Sequence, residues 1–365
     1  MPPSSPTPSR SSRMSTPASA EPRRYRGAVI GAGGIARQAH LPAFLEAPSV
    51  RRRVAIVALV DSAPDLAPVD GIPLLSRREQ LAGAPPADFI DVCTPTATHL
   101  DLTLWGLEQG YHVLCEKPVA VTRAEADRIA AAARARRRLV MPCHQYRFSP
   151  AWTQVKQWLD EGAIGRWHLA EFSVYRLMAD PGRQGGGGGG GGDTPWRGTS
   201  AAGRGGVLLD HGTHFIYQLL DIAGVPGEVS AWTGRLRHRD YEVEDTASLH
   251  FAYPERLVTM FFTWAARRRD NRIRFIGDAG SIEWLGGELR LERRGLVERL
   301  DVSAELDKSA YHRWFAELFA SFVAALDHGA APDPYLEDIR RVASVVEHAY
   351  EAARTGCKVA ISDGA

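Results

Sequence analysis

Gly27-Ala28-Val29-Ile30-Gly31-Ala32-Gly33-Gly34-Ile35-Ala36-Arg37-Gln38 is the stretch that decides the fold of this chain. Small and β-branched residues lead into a glycine cluster, and the spacing predicts a helix from Arg37 to Glu46. Strand, then G-x-G-x-x-A, then helix is the context in which a glycine loop cradles a dinucleotide pyrophosphate. Gly31 permits the tight turn, Gly33 lets the backbone approach a phosphate, and Ala36 lets strand and helix pack closely. Gly34 and Ile35 complete a loop whose amides face negative charge at the helix N-terminus. Asp61 ends the next apolar run, Val54 to Val60, about 25 residues past the loop and slightly beyond the usual spacing of about 20. Its carboxylate suits ribose hydroxyls and repels a 2′-phosphate. NAD is therefore the expected cofactor, with NADP the alternative because Arg77 and Arg78 follow closely.

Outward from the loop, short apolar runs alternate with amphipathic segments up to about Met141, the rhythm of β-α-β units. Strands are predicted at Phe89 to Cys93, Tyr111 to Cys115 and Leu139 to Cys143. A helix over Arg123 to Arg138 is opened by Thr122 with Glu125 three residues on. Beyond a helix at Pro150 to Glu161 the rhythm changes to alternating runs: His168 to Arg176, Val229 to Arg237, Val243 to Tyr253, Leu257 to Ala265 and Ile273 to Ile276. Two helices, Tyr311 to His328 and Tyr335 to Ala353, close the chain. The expected class is α/β: an N-terminal Rossmann domain with a doubly wound parallel sheet (25–143), then an α+β domain with a large, mostly antiparallel open sheet (144–365). Residues 1–24, rich in Pro, Ser and Arg, read as a disordered tail, and the string around 183–193 as a glycine linker.

Composition narrows the function classes. Forty-four basic and 43 acidic side chains in 365 residues leave a formal net charge of +1, unlike the one-signed field of a nucleic-acid binder. No apolar run is long enough to span a membrane, and a cytoplasmic location is expected. The four cysteines show no CxxC spacing and read as reduced, buried packing residues.

Val113-Leu114-Cys115-Glu116-Lys117-Pro118, a strand ending in Glu-Lys-Pro after a Rossmann half, resembles the Gfo/Idh/MocA family of sugar and inositol dehydrogenases. Cys93-Thr94-Pro95 with His99 is similar to that family's stretch beside the nicotinamide ribose. Arg147-Phe148-x-Pro150 resembles its crossover, and Gly205-Gly206-x3-Asp210-x-Gly212-x-His214 its active-site helix. The resemblance implies a sugar or polyol substrate bound between the domains, a cis bond before Pro118, and a homodimer or homotetramer built through the C-terminal sheet. It also implies cofactor contacts from Thr94, Pro95, His99, Glu116, Lys117 and Gln145. Two positions depart from the family pattern: Tyr217 stands where an Asp often follows the His, and Gln145 where an Asn is common.

Oxidising a secondary alcohol needs a hydride acceptor above the carbon and a base for the hydroxyl proton. His214 is the first choice for that base, since an imidazole titrates near neutrality. Asp210, four residues earlier, is expected to share its helix face and orient or charge-pair the ring. Lys117 is expected to polarise the substrate oxygen and share the proton. Arg147, Trp196 and Arg197 are candidate substrate contacts, and Tyr175 and Arg176 are further cleft candidates. His211, His214, Asp210 and His144 form no recognised metal pattern, so no metal is expected. Two alternatives to simple dehydrogenation stay open: a glycosidase or lyase working by transient oxidation, and a non-catalytic dinucleotide sensor.

Overall fold

The computed structural model describes residues 23–362 apart from 64, 70, 178–194, 308, 309 and 330. Most of the predicted tail and the glycine linker lie outside the described residues. The N-terminal sheet comprises β1 (Tyr25–Ile30), β2 (Val54–Val60), β3 (Leu74–Leu75), β4 (Phe89–Val92), β5 (His112–Cys115) and β6 (Val140–Pro142). Its order, β3-β2-β1-β4-β5-β6, is parallel throughout. Val, Ile and Leu fill these strands because helices cover both faces, as a doubly wound sheet requires. The helix Arg123–Arg136 starts as its sequence predicts, with Thr122 accepting the Glu125 amide and the Glu125 carboxylate accepting the Val121 amide.

The second sheet has nine strands: β7 (Trp167–Leu177), β8 (Glu228–Gly234), β9 (Thr246–Tyr253), β10 (Arg256–Thr263), β11 (Ala265–Gly277), β12 (Gly280–Leu285), β13 (Glu288–Arg293), β14 (Leu296–Asp301) and β15 (Val359–Ala360). They lie in the order β14-β13-β12-β11-β7-β10-β9-β8-β15, with only β7 and β10 parallel neighbours. Along β7 the buried residues alternate, and Ala170, Phe172, Val174 and Arg176 share the face turned to the helices. Strands β12 to β14 were not anticipated, because charged residues interrupt their short apolar alternation. The helix His99–Glu108 was also missed.

The chain does not stay in its second half. Helix Tyr311–Asp327 returns to the Rossmann domain, where Phe319 stacks on Phe44 at 4.0 Å and Phe322 meets Phe89 edge-on at 5.2 Å. Arg53 pairs with Asp327 at 2.7 Å at its end. Helix Asp333–Thr355 straddles both domains: Leu336, Ile339 and Ala343 join the core around β4 and β5, while Val345 and Val346 join the core beneath the large sheet. The two closing helices therefore pack into the cores beneath both sheets. Among the described residues no helix is long and apolar enough to cross a membrane. Cys93, Cys115 and Cys143 are buried thiols, but Cys357 is exposed, which corrects the expectation that all four pack inside.

Candidate active site

Gly31 sits at φ +93°, and a Cβ there would lie 2.8 Å from Cys93 and Thr94 atoms, so the turn demands glycine. At Gly33 and Gly34 an added Cβ would meet nothing within 4 Å, so the side of the loop turned from the sheet is open. Asp61 closes the loop: one carboxylate oxygen accepts the Ala32 amide at 2.8 Å and the other the Ala63 amide at 2.9 Å. Ile35 is half-buried and Ala36 fully buried where the helix meets the sheet. Gln145 is buried at the domain crossover, and its Oε1 has no hydrogen-bond partner, an acceptor awaiting a donor such as an amide. Open glycines, a carboxylate at the end of β2 and an orphaned acceptor fit a dinucleotide.

Three predicted contacts have other duties. His99 is buried, with Nδ1 at 2.8 Å from the Pro118 carbonyl and Nε2 at 2.8 Å from that of Thr94. Both ring nitrogens are engaged, so His99 fastens the Thr94-Pro95 loop to the Lys117-Pro118 loop and presents no free nitrogen to a cofactor. Glu116 turns its carboxylate inward, 3.1 Å from His40 Nε2, while Asp91 holds His40 Nδ1 at 2.7 Å. Burial pushes the His40 pKa down, but the charges and hydrogen bonds of Asp91 and Glu116 prevail and raise it to about 9. Cys93 and Cys143 lie in the same cluster, and burial drives both thiols up. It is an imidazolium between two carboxylates beneath the Lys117 loop. Arg147, expected to touch substrate, is paired at 2.7 and 2.8 Å with both oxygens of Asp338, which also takes His144 Nδ1 at 2.8 Å. That network fixes the crossover to the closing helix. Tyr175 lies on the sheet's outer face beside Phe261, away from the cleft.

The chemistry-bearing groups converge where the domains meet. Lys117 follows β5, and the Lys117–Pro118 bond is cis. Its Nζ donates to the Asp210 carboxylate at 2.9 Å and to the Asp210 carbonyl at 2.6 Å. Asp210 belongs to a π-helical turn, Leu208–Gly212, that leads into the helix Thr213–Ala223. Its other oxygen meets Arg197 Nε at 3.2 Å, and Arg197 in turn lies over the Trp196 ring at 4.4 Å. Burial alone would raise the Asp210 pKa, but the charges of Lys117 and Arg197, with His211 alongside, hold it well below the usual carboxylate range. His211 is itself neutral near pH 7, because burial depresses its pKa to about 4, and its Nδ1 accepts the Trp264 indole N–H at 3.0 Å. Lys117 and Arg197 are therefore the cations that matter for Asp210.

Among the described residues Asp210 and His214 share no hydrogen bond, but the Asp210 charge acts on the imidazole, the charge-pairing half of the expectation. Asp210 bonds to Lys117, and the Lys117 charge in turn acts on His214. His214 Nδ1 lies 3.0 Å from the hydroxyl of Tyr217, which accepts the Tyr146 amide at 3.1 Å. The residue that departs from the family pattern thus takes over the orienting task of an acid. Tyr146 stacks on His214 at 4.1 Å and Tyr217 on His144 at 4.0 Å, leaving the imidazole one orientation. Burial first, then the Lys117 charge, hold the His214 pKa well below its ordinary value.

A glycine loop on a parallel sheet, joined to an antiparallel sheet whose helix supplies a carboxylate to a lysine and carries an imidazole four residues on, defines a two-domain nicotinamide-dependent oxidoreductase. Residues 25–144 match the model of an oxidoreductase family with an NAD-binding Rossmann fold, and residues 152–283 match the Gfo/Idh/MocA C-terminal domain. The chain belongs to the Gfo/Idh/MocA oxidoreductase family. It is 30% identical over 94% of its length to dTDP-3,4-didehydro-2,6-dideoxy-alpha-D-glucose 3-reductase of Actinomadura kijaniata, of which 98% is covered. It is 27% identical to D-glucoside 3-dehydrogenase of Escherichia coli (strain K12), covering 55% of this chain and 54% of that one. The fold of levoglucosan dehydrogenase, solved with NADH and levoglucosan, superposes with a TM-score of 0.78 at 19% identity, over 93% of this chain and 100% of that one.

Proposed function

We propose that the enzyme transfers a hydride between the nicotinamide of NAD and a secondary alcohol or ketone of a sugar or sugar-derived polyol. Convergence of Lys117 and His214 from the two domains, with Asp210 bonded to Lys117, carries this reading. Named sugar reductases and dehydrogenases among the relatives support the substrate class. Bound nicotinamide would supply the hydride or receive it; the chain supplies everything else. The Gly31–Ala36 loop would hold the pyrophosphate, Asp61 the adenosine ribose, and Thr94, Pro95 and Gln145 the nicotinamide end.

Proton handling follows from the hydrogen bonds. The Tyr217 hydroxyl accepts the Tyr146 amide, and we assign its own proton to His214 Nδ1. That assignment leaves the proton of neutral His214 on Nε2. In the direction from ketone to alcohol, His214 Nε2–H and the Lys117 ammonium both donate to the carbonyl oxygen, and one proton moves to it as the hydride arrives. Going from alcohol to ketone, the same groups run backward. Asp210 fixes the ammonium, and Arg197 and Trp196 wall the sugar. We also assign the outer face of the large sheet, where Leu169, Trp232 and Leu257 are exposed, to contact with a second copy of the chain.

NADH absorbance with a panel of sugars, uronates and inositols, each tried as alcohol and as ketone, tests the reading. Steady NADH formation or consumption supports it. Product formed without net change in NADH would instead indicate transient oxidation by a glycosidase or lyase.

A further inference from the structure

Two guanidinium groups, Arg176 buried and Arg269 half-buried, lie close together without a carboxylate partner among the described residues. Arg176 is 4% exposed and occupies the last inward position of β7, next to the centre of the large sheet. Its Nη1 donates to the carbonyls of Tyr175 and Asp270 at 2.8 and 3.1 Å, while Nε and Nη2 are buried with no partner. Those two nitrogens form one edge of the guanidinium, the edge that pairs with both oxygens of a carboxylate or with two of a phosphate. Arg269, on β11, donates to the hydroxyls of Tyr146 and Tyr311 and to no carboxylate among the described residues. The nearby Asp270 carboxylate is engaged instead by Arg268 and Arg272.

Elsewhere the protein neutralises even a half-buried arginine, as the bidentate Arg147–Asp338 pair shows. Burying a charge without such a partner is strongly unfavourable, and two like charges together are worse. Burial first and the Arg269 charge second bring the Arg176 pKa down to about 10, which leaves both groups cationic at neutral pH. Tyr146 links the pair to the chemistry. Its hydroxyl is 3.4 Å from Arg269, and its ring stacks on His214. Arg176 is also close enough to His211 to help depress that pKa. Tyr146 therefore joins Arg269, at its hydroxyl, to the imidazole of His214, at its ring face.

We propose that Arg176 and Arg269 form an oxyanion subsite, and that the substrate is an acidic sugar whose carboxylate or phosphate docks there while its hydroxyl or keto carbon faces Lys117 and His214. This inference rests on the oxidoreductase reading for its second half only; the subsite itself requires binding, not turnover. Bidentate recognition of the anion would fix which ring carbon faces the hydride and discriminate against neutral sugars, because unpaired guanidinium groups remain when no anion is bound.

Calorimetric titration of the NAD-loaded enzyme with D-glucuronate, D-galacturonate, D-gluconate and D-glucose 6-phosphate, each against its neutral parent sugar, tests the subsite. At least one acid is expected to bind 30-fold or more tightly than its parent; carboxylate and phosphate arms reveal which oxyanion fits. In Arg176→Met and Arg269→Met, each assayed separately, that ratio is expected to fall near unity. The melting temperature of ligand-free Arg176→Met is expected to rise, since an uncompensated charge is removed. Equal binding of every acid and its parent, a preference that survives both substitutions, or a lower melting temperature for both variants would overturn the subsite. Arginine-dependent acid binding with no hydride transfer to or from any sugar would retain the subsite and defeat the oxidoreductase reading.

Discussion

Lys117 Nζ lies 2.9 Å from the Asp210 carboxylate, although 93 positions of sequence and a domain boundary separate them. The ion pair fixes the ammonium at the mouth of the cleft. Asp210→Asn removes the charge but keeps the shape. Its kcat is expected to fall roughly 10²-fold while NADH binds as before, the range for losing one aligned proton-handling group. Steady-state kinetics alongside fluorescence titration of NADH check this; loss of cofactor binding instead would make Asp210 a structural residue.

Tyr217 is the positioning residue for His214. In Tyr217→Phe the Tyr146 amide loses its acceptor and His214 Nδ1 its donor, so the preferred tautomer is no longer imposed. Reduction is expected to lose roughly 10²-fold in kcat with little change in KM. Stability should drop by about 1–3 kcal/mol, the cost of an unsatisfied buried amide. A change confined to KM would place Tyr217 at the substrate rather than behind the imidazole.

Asp61 binds the glycine loop through Ala32 and would face the ribose. Asp61→Ser removes the charge that repels a 2′-phosphate. The ratio of NAD to NADP affinity is expected to shift toward NADP by at least tenfold, about 1.4 kcal/mol. Titration with both cofactors measures it, and an unaltered ratio would show that the carboxylate only braces the loop.

His40 makes stability depend on pH. Its folded pKa of about 9 lies above the ordinary 6.5. The Asp91–His40–Glu116 contribution is therefore present in full below pH 6.5 and is lost as pH rises through 9. The size is about 3 kcal/mol. Urea unfolding of wild type and His40→Leu at pH 6 and pH 9.5 reads it: the gap between them should shrink at the higher pH. A constant gap would mean that His40 is neutral in the folded protein.

Much of this was legible in the sequence where local rules suffice. The glycine loop, the Val54–Val60 strand and the Thr122 cap depend on neighbours a few residues away. Lys117, Asp210 and His214 were recognisable because their motifs are short. Other features arise only in three dimensions. Arg147 found Asp338, 191 positions on, and Glu116 found His40, 76 positions back. Tyr217 looked like a lost acid until its hydroxyl met His214. Arg269 sits in a run of three arginines that resembles a solvated surface, and only the pairing of β7 with β11 sets it beside Arg176. Alternation along β7 was the one sequence signal that turned Arg176 inward.

The cooperation of Lys117 with His214 is tested most directly by a double-mutant cycle in single-turnover hydride transfer from NADH. Lys117→Ala, His214→Ala and the double variant would each be loaded with NADH and mixed with an active ketose. If the two groups serve one oxygen, the double variant is expected to be little slower than the slower single variant. Losses that multiply, or a single variant that transfers hydride at the wild-type rate, would contradict a shared active site between the two domains.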